Sequence, residues 1–247
     1  MKFSEDSGRD FPFYCGDPAA ITGAKWGFLL ALAAAAFTLL IAPIPWPGGA
    51  LGACIPAVLL SAIPLAGLAW ASHGNVGRLF GPVGWRGIGL MVLFALLNIA
   101  VTMVVGAIVK FTLGAASNPA IATASSLAPR DLALFLSKTA IQLVGEEVLT
   151  ILPFLALLQA LISRCGLGRA AGVFWAWLVS ALLFGLIHLP TYDWDFAQCL
   201  IIIGTARLVL SLAYIKTKNL WISSGAHILN DWVLIGVNVA GAKLLPM

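Results

Sequence analysis

Five side chains in the second half of this sequence can do chemistry, and each sits in or at the end of an apolar run: Glu146, Glu147, His188, His227 and Asp231. Neighbouring residues on a helix are about 100° apart, so Glu146 and Glu147 must have different partners. One can face a cavity while the other reaches an adjoining helix or a backbone donor. Two carboxylates this close are expected to hold at least one proton between them, and a raised proton affinity is what a general base needs. His227 and Asp231 are four apart, so they share a helical face and can converge on one ligand, with Asn230 on a neighbouring face. Phe184 and His188 repeat that spacing, which sets an aromatic wall one turn from an imidazole.

The elements that carry these residues are membrane helices. Of 247 residues, 61% are hydrophobic and only 10% charged, against roughly a quarter charged in a soluble domain. A bilayer core about 30 Å thick needs roughly 20 apolar residues of helix. By that criterion seven spans are expected, over 25–44, 51–71, 87–109, 132–162, 171–188, 196–215 and 220–242, with an eighth not excluded by the length of the fourth. The fold class is therefore an all-α, polytopic transmembrane bundle, with the catalytic cavity among the four C-terminal spans. Pro153 falls in the second half of the fourth span and predicts a kink or a steep tilt. The proline- and glycine-rich stretch 43–49 reads as a short hairpin. The connection 111–130, rich in Ala, Ser, Asn and Pro, is the longest and reads as a mobile or interfacial segment. The organisation expected is a cytosolic tail over 1–24, N-terminal transmembrane helices over 25–131 and a catalytic helical core over 132–247.

The formal charge is +4, but the basic residues stand singly between apolar segments, so they read as topogenic charges and nucleic acid is not an expected partner. Lys2, Arg9, Lys25, Arg78, Arg86, Arg164, Arg169, Lys216 and Lys218 fall on one side of a seven-span topology. Lys110, Arg130 and Lys243 fall on the other. That bias predicts a cytosolic N-terminus and an outward C-terminus. The tail mixes Lys2 and Arg9 with Glu5, Asp6, Asp10 and Asp17, unlike a cleaved signal peptide, and a prokaryotic inner membrane is the expected location. Cys15, Cys54, Cys165 and Cys199 form no CxxC pair and read as small apolar fillers.

Ionisable groups at membrane depth are costly and rare unless partnered. A single histidine there is as readily a packing residue as a functional one, but two histidines with three carboxylates are too costly to keep as interhelical glue. Lys138 and Arg207 read as counter-ions or snorkelling residues. Polar groups from facing helices that meet in a bundle core are how helical proteins build catalytic and metal sites.

The order Glu146-Glu147, then Phe184-Gly185-Leu186-Ile187-His188, then His227-Ile228-Leu229-Asn230-Asp231 resembles the three motifs of the CPBP family, the CAAX proteases and bacteriocin-processing (Abi) proteins, over roughly 132–240. The resemblance implies peptide-bond hydrolysis at the membrane, with a peptide or membrane protein as substrate and the lipid bilayer as its setting. Two departures stand out. The first motif of the family usually carries an arginine four residues after the second acid, where this chain has Ile151, and Arg207 is a candidate to replace it. The third motif ends in Asp231 where the eukaryotic-type enzymes have asparagine, and a carboxylate donates to an oxyanion only when protonated.

Two schemes fit. In one, Glu146 and His188 activate water, and His227 and Asp231 stabilise the oxyanion, with no cofactor required. In the other, His188, His227 and Glu146 bind Zn2+ and the remaining acid is the base. The lack of an HExxH helix favours the first. A proton-coupled transporter would use the same residue types, but no repeat relates the two halves of the chain. An inactive family member serving as scaffold or immunity protein is the remaining alternative.

Overall fold

A computed structural model describes residues 8–244. Lys2, Glu5 and Asp6 of the expected tail lie outside the described residues, as does the side chain of Lys243. Among the described residues the chain is helical, without strands: α1 (Gly23–Ile41), α2 (Gly49–Gly52), α3 (Ile55–Ala71), α4 (Trp85–Thr112), α5 (Pro119–Ser125), α6 (Pro129–Ser163), α7 (Arg169–Ile187), α8 (Gly204–Thr217) and α9 (Leu220–Leu244). Local signals set the boundaries. The Thr22 side chain caps α1 by accepting from the Lys25 amide, and Ala42, held extended before Pro43, ends it. Pro129 occupies the first turn of α6, where its missing amide costs nothing.

Five helices among the described residues are long and apolar enough to cross a bilayer: α1, α4, α6, α7 and Gln198–Thr217. The other two expected spans are also helices but fall outside that set for physical reasons. α3 has 17 residues, slightly short for a straight crossing. α9 has 25 residues, ample length, but His227, Asn230, Asp231 and its serines dilute its apolar character. Pro153 does not break α6, which runs continuously for 35 residues.

Helix packing is sequential at first: α1 lies on α3, α3 on α6 and α6 on α7. α4 closes the far flank against α8 and α9, and α9 also packs on α6 and α8. The elements that bear the candidate residues thus close a ring, α6 on α7, α7 on α8, α8 on α9 and α9 on α6.

Two expectations change. The connection 111–130 contains α5, capped by Asn118 and packed on α9 through Ala124 and Ile121, with Ile235 and Val239 opposite. Gln198, itself buried, bonds both the amide and the carbonyl of Ala116 and ties this segment down. The N-terminal segment from residue 8 is likewise no free tail. Phe11, Phe13 and Ile21 are buried in the main core cluster with Phe154, Leu155 and Tyr214, and the Phe11 ring meets Phe154 edge-on at 5.2 Å. Three aromatic and aliphatic side chains removed from water offset part of the entropy of ordering this segment, and polar contacts add to them.

A polar clamp holds that segment in register. Arg169 pairs with Asp10 at 2.5 Å, and the Tyr14 hydroxyl donates to the same carboxylate at 2.6 Å. Burial pushes the Asp10 carboxyl up, but Arg169, Tyr14 and the Phe11 amide outweigh it and hold the group below its ordinary range. A carboxyl depressed in the folded state contributes stability that is fully present above its unfolded value and is lost as pH falls through the folded one. Proteolytic cleavage of the N-terminal segment should therefore stay slow at neutral pH and rise in acid. Asp10→Asn should show at neutral pH the susceptibility that wild type reaches only in acid; equal rates for the two at neutral pH would contradict the clamp.

Candidate active site

The two adjacent acids on α6 point to different environments. Glu147 is fully buried and meets Arg207 of α8, also fully buried, with 2.6 Å between Nη2 and Oε1. The same oxygen receives His227 Nδ1 of α9 at 3.0 Å. Glu146 is half-buried, and its carboxylate accepts from Gln142 Nε2, one turn back on α6, at 2.9 Å. The proton expected to be shared between the two acids is thus replaced by an ion pair: the counter-charge of Glu147 is Arg207, not a proton held with Glu146. Arg207 thus brings a cation to the acid pair from another helix, and Ile151 is itself buried in the apolar core.

Phe184 links the parts. Its ring lies under the Arg207 guanidinium at 4.9 Å, beside His188 at 4.7 Å and near His227 at 6.5 Å. The one-turn spacing of Phe184 and His188 on α7 therefore does what the sequence pattern suggests, and the ring also reaches a cation and the second imidazole. His188 caps the end of α7, and its Nδ1 lies 2.8 Å from the Phe184 carbonyl. A carbonyl only accepts, so Nδ1 carries the hydrogen and Nε2 keeps its lone pair. His227 is tied by Nδ1 to the Glu147 carboxylate in the same way, and its Nε2 lies 3.9 Å from Asp231 Oδ1.

Asp231 is held from behind. Asn230 Nδ2 donates to it at 2.9 Å, and Asn98 Nδ2 of α4 donates to Asn230 at 2.9 Å. Its side chain remains 33% exposed, and it interacts electrostatically with Glu146. Glu146 and Asp231 are the open carboxylates of the cluster, whereas Glu147 is closed.

Backbone fit matters at one glycine. A β-carbon on Gly185 would come within 2.5 Å of the Cys199 carbonyl. The close approach of α7 to the π-helical turn Gln198–Ile203 therefore requires glycine between Phe184 and His188.

Gln142, Asn98 and Tyr192 were not singled out from the sequence. Asn98 had a visible signal, an amide in an apolar span, whereas Gln142 and Tyr192 had none beyond position. Tyr192 is buried four residues after His188 and interacts electrostatically with Asp231 and Glu146.

The zinc set drawn from the sequence, His188, His227 and Glu146, does not converge. Among the described residues no three His, Cys, Asp or Glu side chains group to hold a metal ion. The donors present do not fit a three-ligand zinc site.

A helical membrane bundle with a buried acid, histidine and arginine network is the class these observations define. Residues 128–233, which include all five candidate residues, match the family described as Type II CAAX prenyl endopeptidase Rce1-like. The match spans somewhat under half of the chain, and over that segment the chain is similar to the CAAX-type proteases. No curated protein and no solved structure matches it.

Removing one partner of a fully buried ion pair leaves an uncompensated charge, which costs about 3–5 kcal/mol, whereas removing both costs far less. Arg207→Met should therefore lower unfolding stability in detergent by about that amount, and the double variant Arg207→Met/Glu147→Leu should recover most of it. A double variant as unstable as the sum of the two single ones would contradict the pairing.

Proposed function

We propose that the protein is an intramembrane endopeptidase that hydrolyses peptide bonds of membrane-associated peptides or proteins, with Glu146 and His188 as the water-activating pair. The observation that carries this reading is the division between the two acids. Glu147 is committed to Arg207 and His227 in the interior, which leaves Glu146 half-exposed with one neutral amide beside it. A carboxylate outside the ion pair, together with an imidazole whose Nδ1 is tethered and whose Nε2 is open, is what water activation requires.

In the reaction, water attacks the substrate carbonyl carbon and gives its proton to Glu146, while His188 Nε2 orients the water. The carbonyl electron pair moves onto oxygen. A doubly protonated His227 can donate its Nε2 hydrogen to that oxyanion while Nδ1 stays on Glu147. Collapse of the tetrahedral intermediate breaks the C–N bond, and the proton on Glu146 passes to the leaving amine. Buried polar atoms without a protein partner among the described residues, Glu147 Oε2 and Arg207 Nη1, suit contact with water inside the bundle. No step calls on zinc, since the donor set does not converge.

The ion pair also bears on the inactive-scaffold alternative, because Arg207 supplies the cation that Ile151 does not. The topology proposed with this function has α1, α3, α4, α6, α7, the segment Gln198–Thr217 and α9 as spans, with the N-terminus cytosolic by the Lys and Arg bias. A prokaryotic inner membrane is the proposed location, and nucleic acid is no partner.

The test is cleavage of a peptide library by detergent-purified protein, with folding matched across variants. Glu146→Ala, His188→Ala and His227→Ala should each lower kcat/KM by about 10²-fold or more, and a chelator should leave wild type unchanged. Cleavage retained by all three variants would contradict the assignment, and loss of activity on chelation would return zinc to it.

A further inference from the structure

α1 packs chiefly on α3 and only lightly on α6, and beside that light contact a groove of about 320 Å³ lies between α1, α6 and α7. Small residues on two walls keep it open, Gly23 and Gly27 on α1 and Ala156 and Ala160 on α6. A β-carbon on Gly27 would meet no atom within 4 Å, so the protein does not fill the space with side chains of its own. Leu183 of α7 lines the groove and stays exposed, which leaves one side open to the bilayer. From Ser163 back to Pro153 the groove follows α6 for about 15 Å at the helical rise per residue. That is half of a hydrocarbon core about 30 Å thick, the depth of one leaflet.

The walls call for an apolar occupant and the mouth for an anion. The Trp26 indole donates to the Gln159 side chain, the Gln159 amide donates to the Ile21 carbonyl at 2.9 Å, and the Ser163 hydroxyl donates to the Gln159 carbonyl at 2.7 Å. These polar side chains are thereby satisfied within the protein and ask nothing of a ligand. Arg164 differs. It is exposed at the end of α6, its guanidinium lying where a β-carbon on Gly23 would stand, and among the described residues no carboxylate pairs with it. Two other cations of this end are engaged, Lys25 with the Ala71 carbonyl at 3.1 Å and Arg169 with Asp10.

We propose that the groove binds one anionic phospholipid, an acyl chain lying along α6 and the phosphate held by Arg164. Charge complementarity selects this occupant over a zwitterionic lipid, whose headgroup brings a second cation beside the arginine. The planar guanidinium also matches phosphate oxygens in geometry. On the topology proposed above, this end of α6 faces the cytosol, the side whose leaflet carries the anionic lipids. The inference stands on the groove and its cation, and it holds whether or not the chain is a peptidase.

The experiment titrates the full chain in a neutral detergent with dioleoylphosphatidylglycerol or dioleoylphosphatidylcholine and counts bound lipid by native mass spectrometry. Wild type should retain one phosphatidylglycerol about tenfold more tightly than phosphatidylcholine, the scale of one charge-assisted contact. Arg164→Gln should bring the two lipids to equal affinity. Gly27→Leu, which fills the groove, should weaken both by on the order of tenfold or more. Lipid-free unfolding midpoints accompany each variant, and should one variant fold poorly the other decides alone. Equal retention of the two lipids by wild type overturns the proposal, as does a preference that survives Arg164→Gln or binding that ignores Gly27→Leu. An isoprenyl chain that displaces the phospholipid and is indifferent to Arg164→Gln would overturn it in favour of a neutral occupant.

Discussion

A carboxylate and a guanidinium, both without solvent exposure, face each other at 2.6 Å between α6 and α8. Each ion taken from water alone would cost several kcal/mol, so neither Glu147 nor Arg207 can sit at this depth without the other. The pair fixes how α6 and α8 are rotated, and everything else in the site is built against it. The same Glu147 oxygen that meets Arg207 also orients His227, and the guanidinium lies over Phe184. Phe184 in turn stands beside His188. One interaction thereby sets the orientation of groups on four helices.

The two neighbouring acids divide structure from chemistry. A helix turns about 100° per residue, so consecutive glutamates can neither share a face nor compete for one partner. Glu147 looks into the bundle and is consumed by it; Glu146 is half-buried with Gln142 beside it. The histidines are divided in the same manner. Each has Nδ1 bound to an acceptor, the Phe184 carbonyl for His188 and Glu147 for His227, which makes Nε2 of both the working atom of the proposed reaction. Such tethering prearranges a site before any substrate arrives and removes reorganisation from the reaction itself.

Much of this was legible in the residues, because membrane helices declare themselves by apolar length and ionisable groups within them stand out. The boundaries of α1, α4, α6 and α7 follow from hydropathy and from Pro43, Pro129 and Gly168. The i, i+4 spacings of Phe184 with His188 and of His227 with Asp231 carry directly into contacts. What stayed hidden depended on long-range packing. Phe11 and Phe13 lie in a charged, turn-rich stretch with no periodicity, so nothing local says that they fill the core. Gln142 is an ordinary residue until the fold sets it beside Glu146. The missing arginine at position 151 was the most informative departure, for it directed attention to Arg207, and the fold supplies the cation from another helix.

The central claim is that the adjacent acids hold unlike roles, Glu146 in proton transfer and Glu147 in architecture. Measuring unfolding midpoint and kcat side by side for Glu146→Gln and Glu147→Gln tests it most directly. The account predicts that Glu146→Gln keeps the wild-type midpoint and loses turnover, while Glu147→Gln lowers the midpoint sharply because Arg207 is left buried without its counter-charge. The reverse pattern, or equal midpoints for the two variants, would contradict it.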